Sequence, residues 1–354
     1  MARAGKRACR PERRIPQRRA ILDRVTRAYI PDEILAAAHA RARAREARDW
    51  AEADRLRAQI EAAGFRVVDR GTDFALSPAR APDVAEGERV RFGSSTSVAS
   101  RLEEPPQGGA SVVVVATDHP ADVDRAIAGV VAHAAVPTQV VVVGDGPSAE
   151  QDAALDELER ASASEAAETP EVDIEVVRLA TRLGHAAALN AGIRRAAADV
   201  VIVLDASIEP AGDIVTPLLG GLEDTSVAVA GPFGLVTADL RQFEEAPAGD
   251  VDAIAGYCLA FRRADFVERG PLDEHFRFYR NLDIWWSLVL RDEGPDAAAR
   301  RALALADVPI VRHEHRGWIE TDEVERVRLS RRNFYRVLDR FRGRLDLLTR
   351  RVPG

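Results

Sequence analysis

The feature that most constrains the fold is a series of apolar, strand-length segments in the middle of the chain. They lack the polar alternation of strands with one wet face, and stretches with helical spacing separate them. Such strands are typical of a parallel sheet that helices cover on both faces. Strands are predicted at residues 111–116, 138–143, 172–178 and 200–204, and helices near 121–134, 149–161 and 185–197. We therefore predict an α/β fold with a mostly parallel sheet.

Size and composition exclude several classes of protein. The 354 residues suffice for about two domains. The two cysteines, Cys9 and Cys258, are too few for a disulfide scaffold or a cysteine zinc site. No apolar run approaches the roughly 20 residues of a membrane span. The N-terminus lacks the apolar core of a signal peptide, so we expect a cytoplasmic protein.

Positive charge is concentrated at the two ends of a chain whose net charge is −8. Residues 1–20 contain eight Lys and Arg against one Glu, and residues 326–351 contain ten Arg against two Asp. Basic ends around an acidic body indicate contact with a polyanion, either nucleic acid or an anionic membrane surface. The alternative is a solvated leader and a solvated helix face.

Changes in composition predict five segments. Residues 1–30 are predicted to be a basic flexible leader, and residues 31–79 to be two helices followed by a β-hairpin. Residues 80–109 are rich in Pro, Gly and Ser, which is typical of a linker or a surface segment. The α/β domain then spans residues 110–318, and residues 319–354 have the pattern of a basic amphipathic helix.

Polar residues follow each predicted strand of the α/β domain. Ligands of such sheets bind at the carboxyl ends of the strands, where carboxylates can bond a ribose or base or hold a hard divalent cation. Neither a G-x-G-x-x-G motif after the first strand nor a P-loop motif occurs, which disfavours those two nucleotide sites. The strand-end residues are Thr117, Asp118, Asp145, Gly184, Asn190, Asp205 and Ser207. We predict that they form one ligand site.

Several short motifs stand in a particular order between residues 110 and 318. They are the strand 111–117, the Val143-Gly144-Asp145-Gly146 turn, the helix start 184–192, the strand 201–205, and the blocks 256–262 and 272–279 before Asp283. In order and spacing this stretch resembles a family 2 glycosyltransferase with the GT-A fold. The resemblance implies a nucleotide-diphosphate sugar as donor, an acceptor hydroxyl, and inversion at the anomeric carbon.

The resemblance also assigns roles to individual positions. It implies donor binding by Thr117, Asp118, Asp145, Gly184, Asn190 and Asp205. In this assignment Thr117 and Asp145 line the base and ribose pocket, and Gly184 and Asn190 shape the neighbouring wall. Asp205 stands at the first acid of the D-x-D metal motif of the family.

The metal motif departs from the family pattern, because its second acid is Ser207 here. A divalent cation, Mg²⁺ or Mn²⁺, would depend on Asp205 and Ser207, on the diphosphate and water, and on one further protein ligand. His313 and His315 are the candidates, since alternation along an extended segment puts both imidazoles on one side. The alternative is that both are ordinary loop histidines.

The acidic motif that supplies the catalytic base in the family also differs from the family pattern. Where the family typically has Glu-Asp-x-Asp, this chain has Arg280-Asn281-Leu282-Asp283. Asn281 falls on the usual position of the base, but an amide does not take up a proton. We predict Asp283 as the base, with Asn281 orienting the acceptor. Loss of both acids could instead mark a catalytically degenerate relative.

Both flanks suggest further partners. Residues 33–79 resemble the small C-terminal domain of bacterial cysteinyl-tRNA synthetase in residues 42–57, in the Ala63-Gly64-Phe65 turn and in the hairpin. This resemblance implies RNA contact through residues 31–79, and the alternative is a helical hairpin used for packing or self-association.

The C-terminal helix carries an apolar stripe that suits an anionic leaflet or packs on the α/β domain. The stripe consists of Phe334, Val337, Leu338, Phe341, Leu345 and Leu348.

Three functions therefore stay open. The first is an inverting glycosyltransferase that moves a sugar to a glycan or lipid-linked acceptor in cell-envelope or exopolysaccharide synthesis, in the cytoplasm or peripherally at the inner face of the plasma membrane. The second is an RNA-binding protein with the sheet domain as scaffold. The third is a degenerate relative that binds a nucleotide sugar or a partner enzyme without catalysis.

Overall fold

The computed structural model describes residues 30–70, 73–79, 81–87, 89–164 and 172–349. The chain divides into two compact units between Ala79 and Arg80. Residues 1–29, which make up most of the predicted leader, lie outside the described residues, as do residues 350–354.

The first unit is a helical hairpin followed by a β-hairpin, which confirms the predicted N-terminal module. Its helices are α1 (Asp32–Glu46) and α2 (Trp50–Ala62), and its strands are β1 (Phe65–Arg70) and β2 (Asp73–Pro78). The Asp49 carboxylate caps α2 by accepting the backbone N–H of Glu52. Ile34, Leu56 and Ile60 form the centre of a small apolar core.

The second unit is built on a large sheet with helices on both faces. Its strands are β3 (Val84–Glu86), β4 (Arg89–Phe92), β5 (Ala110–Ala116), β6 (Thr138–Asp145), β7 (Val172–Leu179), β8 (Val200–Leu204), β9 (Ile208–Pro210), β10 (Val227–Gly231), β11 (Gly234–Val236), β12 (Glu244–Ala246), β13 (Gly249–Val251), β14 (Ala253–Ile254), β15 (Cys258–Arg262), β16 (Arg301–Ala304) and β17 (Ile310–Arg312). Its helices are α3 (Pro120–His133), α4 (Ala149–Ser164), α5 (His185–Ile193), α6 (Val215–Gly221), α7 (Arg263–Arg269), α8 (Leu282–Arg291), α9 (Arg316–Glu320) and α10 (Glu323–Phe341).

Among the described residues the large sheet has the order β13-β16-β10-β15-β8-β5-β6-β7-β4-β3. Strands β8, β5, β6, β7 and β4 run parallel, and β15 lies antiparallel between β8 and β10. Successive strand residues face opposite sides: Val113 joins the apolar cluster of α5 and α8, and Val112 joins the cluster of α3. The predicted α/β fold is confirmed.

Part of the segment predicted as a linker belongs to the sheet. Strand β4 pairs in parallel with β7, with Arg91 opposite Arg178. The Arg91 guanidinium donates to the Asp152 carboxylate of α4. Strand β4 is held by charged side chains and has no long apolar run, which is why composition alone suggested a linker.

Helix α5 is shorter than predicted, because it ends at Ile193 and not near residue 197. The backbone N–H groups of Ala197 and Ala198 donate to the Ser111 hydroxyl of β5. These bonds replace helical ones, so the chain leaves the helix one turn early.

The C-terminal helix α10 packs on the large unit through its apolar stripe. Val337 and Phe341 are fully buried in the same cluster as α5 and α8, and Leu348 joins them, whereas Leu345 is exposed. The domain therefore covers Val337, Phe341 and Leu348 of the stripe, and these side chains are not available to a lipid leaflet. In the part of the chain that the structure describes, no helix has the length and apolarity to cross a membrane.

Candidate active site

A cavity lies at the carboxyl end of β8, between the sheet and helices α5 and α8. Its inner wall is apolar and includes Ile193, Phe261 and Trp286. Polar side chains surround the outer part, and these are His185, Asp205, Tyr257, Tyr279, Arg280, Asp283 and His315. Three of the predicted site residues, Asp205, His315 and Asp283, thus line one cavity.

Asp205 follows β8 directly and is held in a fixed orientation. Its Oδ1 accepts the backbone N–H of Ser207 at 2.9 Å and the Ser207 hydroxyl at 2.5 Å. Its Oδ2 lies 3.4 Å from His315 Nε2. Burial favours the neutral carboxyl, but the hydrogen bonds from His315 and Ser207 outweigh it and lower the pKa of Asp205. The carboxylate therefore stays charged at neutral pH.

Ser207 serves this carboxylate and does not replace the missing acid of the motif. The side chain is buried, and its hydroxyl proton points at Asp205. The backbone carbonyl of Ser207 accepts the N–H of His313 at 2.8 Å. Ser207 thus orients Asp205 and fixes the start of the segment that carries His315.

His315 caps helix α9 and faces Asp205. Its Nδ1 accepts the backbone N–H of Trp318 at 3.1 Å, which leaves the ring proton on Nε2, toward the carboxylate. The ring stacks on Tyr279 with centroids 4.2 Å apart. Burial lowers the pKa of His315, but the bond to Asp205 outweighs it and raises that pKa overall.

His313 lies elsewhere, although alternation suggested that both histidines share a side. Its Nε2 is 2.6 Å from the Glu209 carboxylate, and it lines a separate surface cavity with Asp122 and Arg125. The segment leaves its extended form after Arg312 and turns into α9, so the two-residue repeat does not hold across it.

The donor set around Asp205 fits a divalent cation in part. Asp205 and His315 supply one oxygen and one nitrogen close together, and carboxylate oxygen suits Mg²⁺ or Mn²⁺. No cluster of three or more His, Cys, Asp or Glu that could hold a metal occurs among the described residues. The remaining ligands would therefore come from a diphosphate and water. His315 would have to release its Nε2 proton to act as a ligand.

Two other residues that were predicted to bind the sugar donor, Asp145 and Asp118, hold the neighbouring loops through hydrogen bonds. Asp145 accepts the backbone N–H groups of Leu183 at 2.6 Å and Gly184 at 2.9 Å. Burial raises the pKa of Asp145 despite these bonds. Asp118 accepts the N–H of Ser148 and pairs with Arg182. Burial alone would raise the pKa of Asp118, but these bonds outweigh burial and lower that pKa.

Gly184 and Asn190 contribute through the backbone around them, and Thr117 lies at a strand end. Thr117 is half-buried directly after β5. Gly184 has φ +110°, and a Cβ there would lie 2.7 Å from the Arg277 Cα, so glycine is required. The Asn190 amide is buried and exchanges two 2.9 Å hydrogen bonds with the backbone of Leu272, a cavity-lining residue. Asn190 thus shapes the wall indirectly.

Asp283 sits in the first turn of α8 and faces the cavity. Its Oδ2 accepts the backbone N–H of Gly256 at 2.9 Å, and its Oδ1 accepts that of Ile284. Burial raises the pKa of Asp283 above the ordinary aspartate range and outweighs these bonds. A carboxylate with a raised pKa beside a cavity is suited to accept a proton.

Asn281 does not line this cavity. It caps α8 with φ +67°, and its amide donates to the Ser330 carbonyl of α10 at 3.0 Å. Its side chain is therefore used to hold α10, and its placement does not favour the predicted role of orienting an acceptor.

Sequence reasoning missed three rings at the cavity: His185, Tyr257 and Tyr279. Burial lowers the pKa of His185 to about 4, so its imidazole is neutral at pH 7. The helix start 184–192 and the block 272–279 contained the signal for His185 and Tyr279, but no spacing rule gave either ring a role. Trp285 and Trp286, next to Asp283, are both buried.

Comparison with known proteins assigns this geometry to a family. Residues 111–304, more than half of the chain, match the family model Glycosyl transferase family 2. The chain belongs to this family. No curated protein matches the sequence.

Two solved structures share the fold of this family 2 chain. A crystal structure of GalNAc-T7 with UDP, GalNAc and Mn²⁺ is 16% identical with a TM-score of 0.54, and the match covers 70% of this chain and 55% of that one. The mannosyltransferase PcManGT from Pyrobaculum calidifontis, in complex with GDP-Man and Mn²⁺, is 19% identical with a TM-score of 0.50 over 71% of each chain. This chain thus spans about half the length of GalNAc-T7.

Proposed function

We propose that this chain is a metal-assisted, inverting glycosyltransferase that moves a sugar from a nucleotide-diphosphate sugar to an acceptor hydroxyl. The observation that carries the proposal is that Asp205, His315 and Asp283 line one cavity at the carboxyl end of β8. Family membership and the UDP and GDP-Man bound in the two similar structures support it.

Each polar group has a distinct task in this proposal. Asp205 and His315 would hold a divalent cation, which neutralises charge on the leaving diphosphate. Asp283 takes the proton of the acceptor hydroxyl as that oxygen attacks the anomeric carbon. Tyr257 and Tyr279 present ring surface to the sugar. Attack on the face opposite the diphosphate inverts the anomeric centre.

For the acceptor we propose a glycan or lipid-linked sugar of cell-envelope or exopolysaccharide synthesis. If α10 contacts an anionic membrane surface, that contact uses its outer, Arg-rich side, because Val337 and Phe341 on the apolar stripe are buried. Side chains on that outer side include Arg328, Arg331 and Arg332, all exposed.

The RNA-binding alternative has less support. Residues 31–79 contain eight Arg against nine Asp and Glu. Several of these arginines are already paired, such as Arg41 with Asp69 and Arg55 with Glu52. RNA affinity depends on neutralising phosphates with free cations. We therefore place glycosyl transfer ahead of RNA binding.

Thermal unfolding with nucleotide sugars tests the proposal directly. We expect one among UDP-, GDP- and dTDP-sugars to raise the unfolding temperature when Mn²⁺ or Mg²⁺ is present, and much less without it. A ligand at about 100 times its Kd stabilises the native state by about 2.7 kcal/mol. Stabilisation without turnover on any acceptor, and without slow donor hydrolysis, would indicate the degenerate relative. No stabilisation by any donor would contradict the proposal.

A further inference from the structure

Helix α10 lies outside the residues that match the family, yet one of its side chains reaches a loop of the site. Asn333 is 0% exposed. Its Nδ2 donates to the backbone carbonyls of Phe278 at 2.7 Å and Arg280 at 2.9 Å. Both acceptors are carbonyls, so the orientation of this amide is unambiguous. The amide therefore fixes the backbone on both sides of Tyr279.

Tyr279 connects this loop to the Asp205 pair. Its ring stacks on His315, with centroids 4.2 Å apart and an interplanar angle of 30°. His315 Nε2 in turn lies 3.4 Å from Asp205 Oδ2. A shift of the 278–280 backbone would move the tyrosine ring and remove the surface that holds the imidazole in place.

Two further contacts from α10 act in the same region. The Ser330 carbonyl accepts the amide of Asn281. The Arg326 guanidinium donates to the Trp318 carbonyl at 2.9 Å and lies 4.7 Å from the Trp318 ring centroid. Trp318 belongs to α9, which His315 caps. Helix α10 thus braces both the loop 278–281 and the helix that carries His315.

The role of Asn333 differs from that of the apolar stripe beside it. Val337 and Phe341 are buried in the core and keep α10 docked. Asn333 Oδ1 has no hydrogen-bond partner among the described residues, which is a cost for a buried amide. The two N–H groups of the Asn333 amide both bind the loop that contains Tyr279. Asn333 therefore fixes the geometry of that loop more than it holds α10 on the domain.

We propose that Asn333 is a positioning residue: by holding the carbonyls of Phe278 and Arg280 it keeps Tyr279 stacked on His315, and so keeps His315 and Asp205 in the geometry that binds a divalent cation. The cation-binding part rests on the proposed function. The positioning of the ring does not.

The experiment compares Asn333→Ala with Arg332→Ala, a neighbour on the exposed side of the same helix. The first readout is the Hε1 resonance of His315 in the full chain, which the Tyr279 ring current shifts; Tyr279→Leu marks its unstacked position. We expect Asn333→Ala to move this resonance toward the Tyr279→Leu position and Arg332→Ala to leave it in place. The double variant Tyr279→Leu/Asn333→Ala should match Tyr279→Leu alone.

The second readout is Mn²⁺ binding in the presence of UDP or GDP, whichever stabilises wild type more, measured by electron paramagnetic resonance of free Mn²⁺ against controls without protein. We expect Asn333→Ala to weaken Mn²⁺ binding about tenfold, the lower end of the effect of groups that support metal ligands, and Arg332→Ala to leave it unchanged. If wild type binds no Mn²⁺ in the presence of UDP or GDP but the His315 shift still depends on Asn333, the proposed function fails and the positioning role stands.

An unchanged His315 resonance in folded Asn333→Ala would overturn the proposal. If that variant does not fold, Asn281→Ala replaces it, because Asn281 is only half-buried. This substitution removes the hydrogen bond from the Asn281 amide to the Ser330 carbonyl of α10. That variant should shift the resonance in the same direction by a smaller amount, and no shift would again overturn the proposal.

Discussion

Replacing Asp205 by Asn should lower the rate of sugar transfer by about 10²–10³-fold, the usual effect of removing one group that stabilises developing charge. Asn keeps the shape of the side chain and can still accept the bonds from Ser207. It removes the negative charge that faces His315 Nε2. We expect donor stabilisation by Mn²⁺ to disappear. The unfolding temperature without ligand should also fall, because the amide NH2 would face the N–H of His315 Nε2 and leave two buried donors without an acceptor. Initial rates with the most stabilising nucleotide sugar provide the measurement.

The two histidines of the same segment supply a matched control. His315→Ala should reduce transfer and Mn²⁺ binding, because His315 contacts Asp205. His313→Ala should retain most of the activity, because His313 pairs with Glu209 and lines a different cavity. Equal losses in the two variants, or full activity in Asp205→Asn, would contradict this assignment of the metal site.

The sheet could be predicted because each of its central strands is a short, continuous apolar run that is visible in the local sequence. Strands β5, β6 and β8 are apolar at successive positions since both faces are covered. Strand β4, next to the edge strand β3, gave no such signal, because Arg89 and Arg91 hold it through ion pairs with residues of α4. Those partners are distant in sequence, and single-sequence periodicity cannot detect them.

Asp283 was selected through the resemblance to the family. Without that resemblance, a single residue could be selected only where it follows a strand directly. Asp205 is such a residue, and its position at the end of β8 was enough to select it. Between His313 and His315 the sequence could not choose, because the choice depends on where the segment turns into α9. For Asn281 the sequence could not show the neighbour of the side chain either: its amide donates to a backbone carbonyl of α10, a contact distant in sequence, and its role toward an acceptor stays a prediction.

Replacing Asp283 by Asn should lower kcat by about 10²–10⁴-fold, the usual contribution of a general base. The carboxylate faces the cavity and is the predicted proton acceptor, whereas the proposed function assigns donor binding to Asp205 and its neighbours. We therefore expect the donor and Mn²⁺ to stabilise Asp283→Asn as they do wild type. This separates loss of the base from loss of the donor site.

The pH dependence gives an independent check on the same residue. A base acts in its deprotonated form, and burial raises the pKa of Asp283. The kcat/KM of wild type should therefore fall as the pH drops through a value above the ordinary aspartate range of about 4, and Asp283→Asn should lose this acid limb. His185, whose neutral imidazole also lines the cavity, has a pKa of about 4. If the acid-side fall of kcat/KM instead lies near pH 4, disappears in His185→Gln and persists in Asp283→Asn, then His185 and not Asp283 is the base.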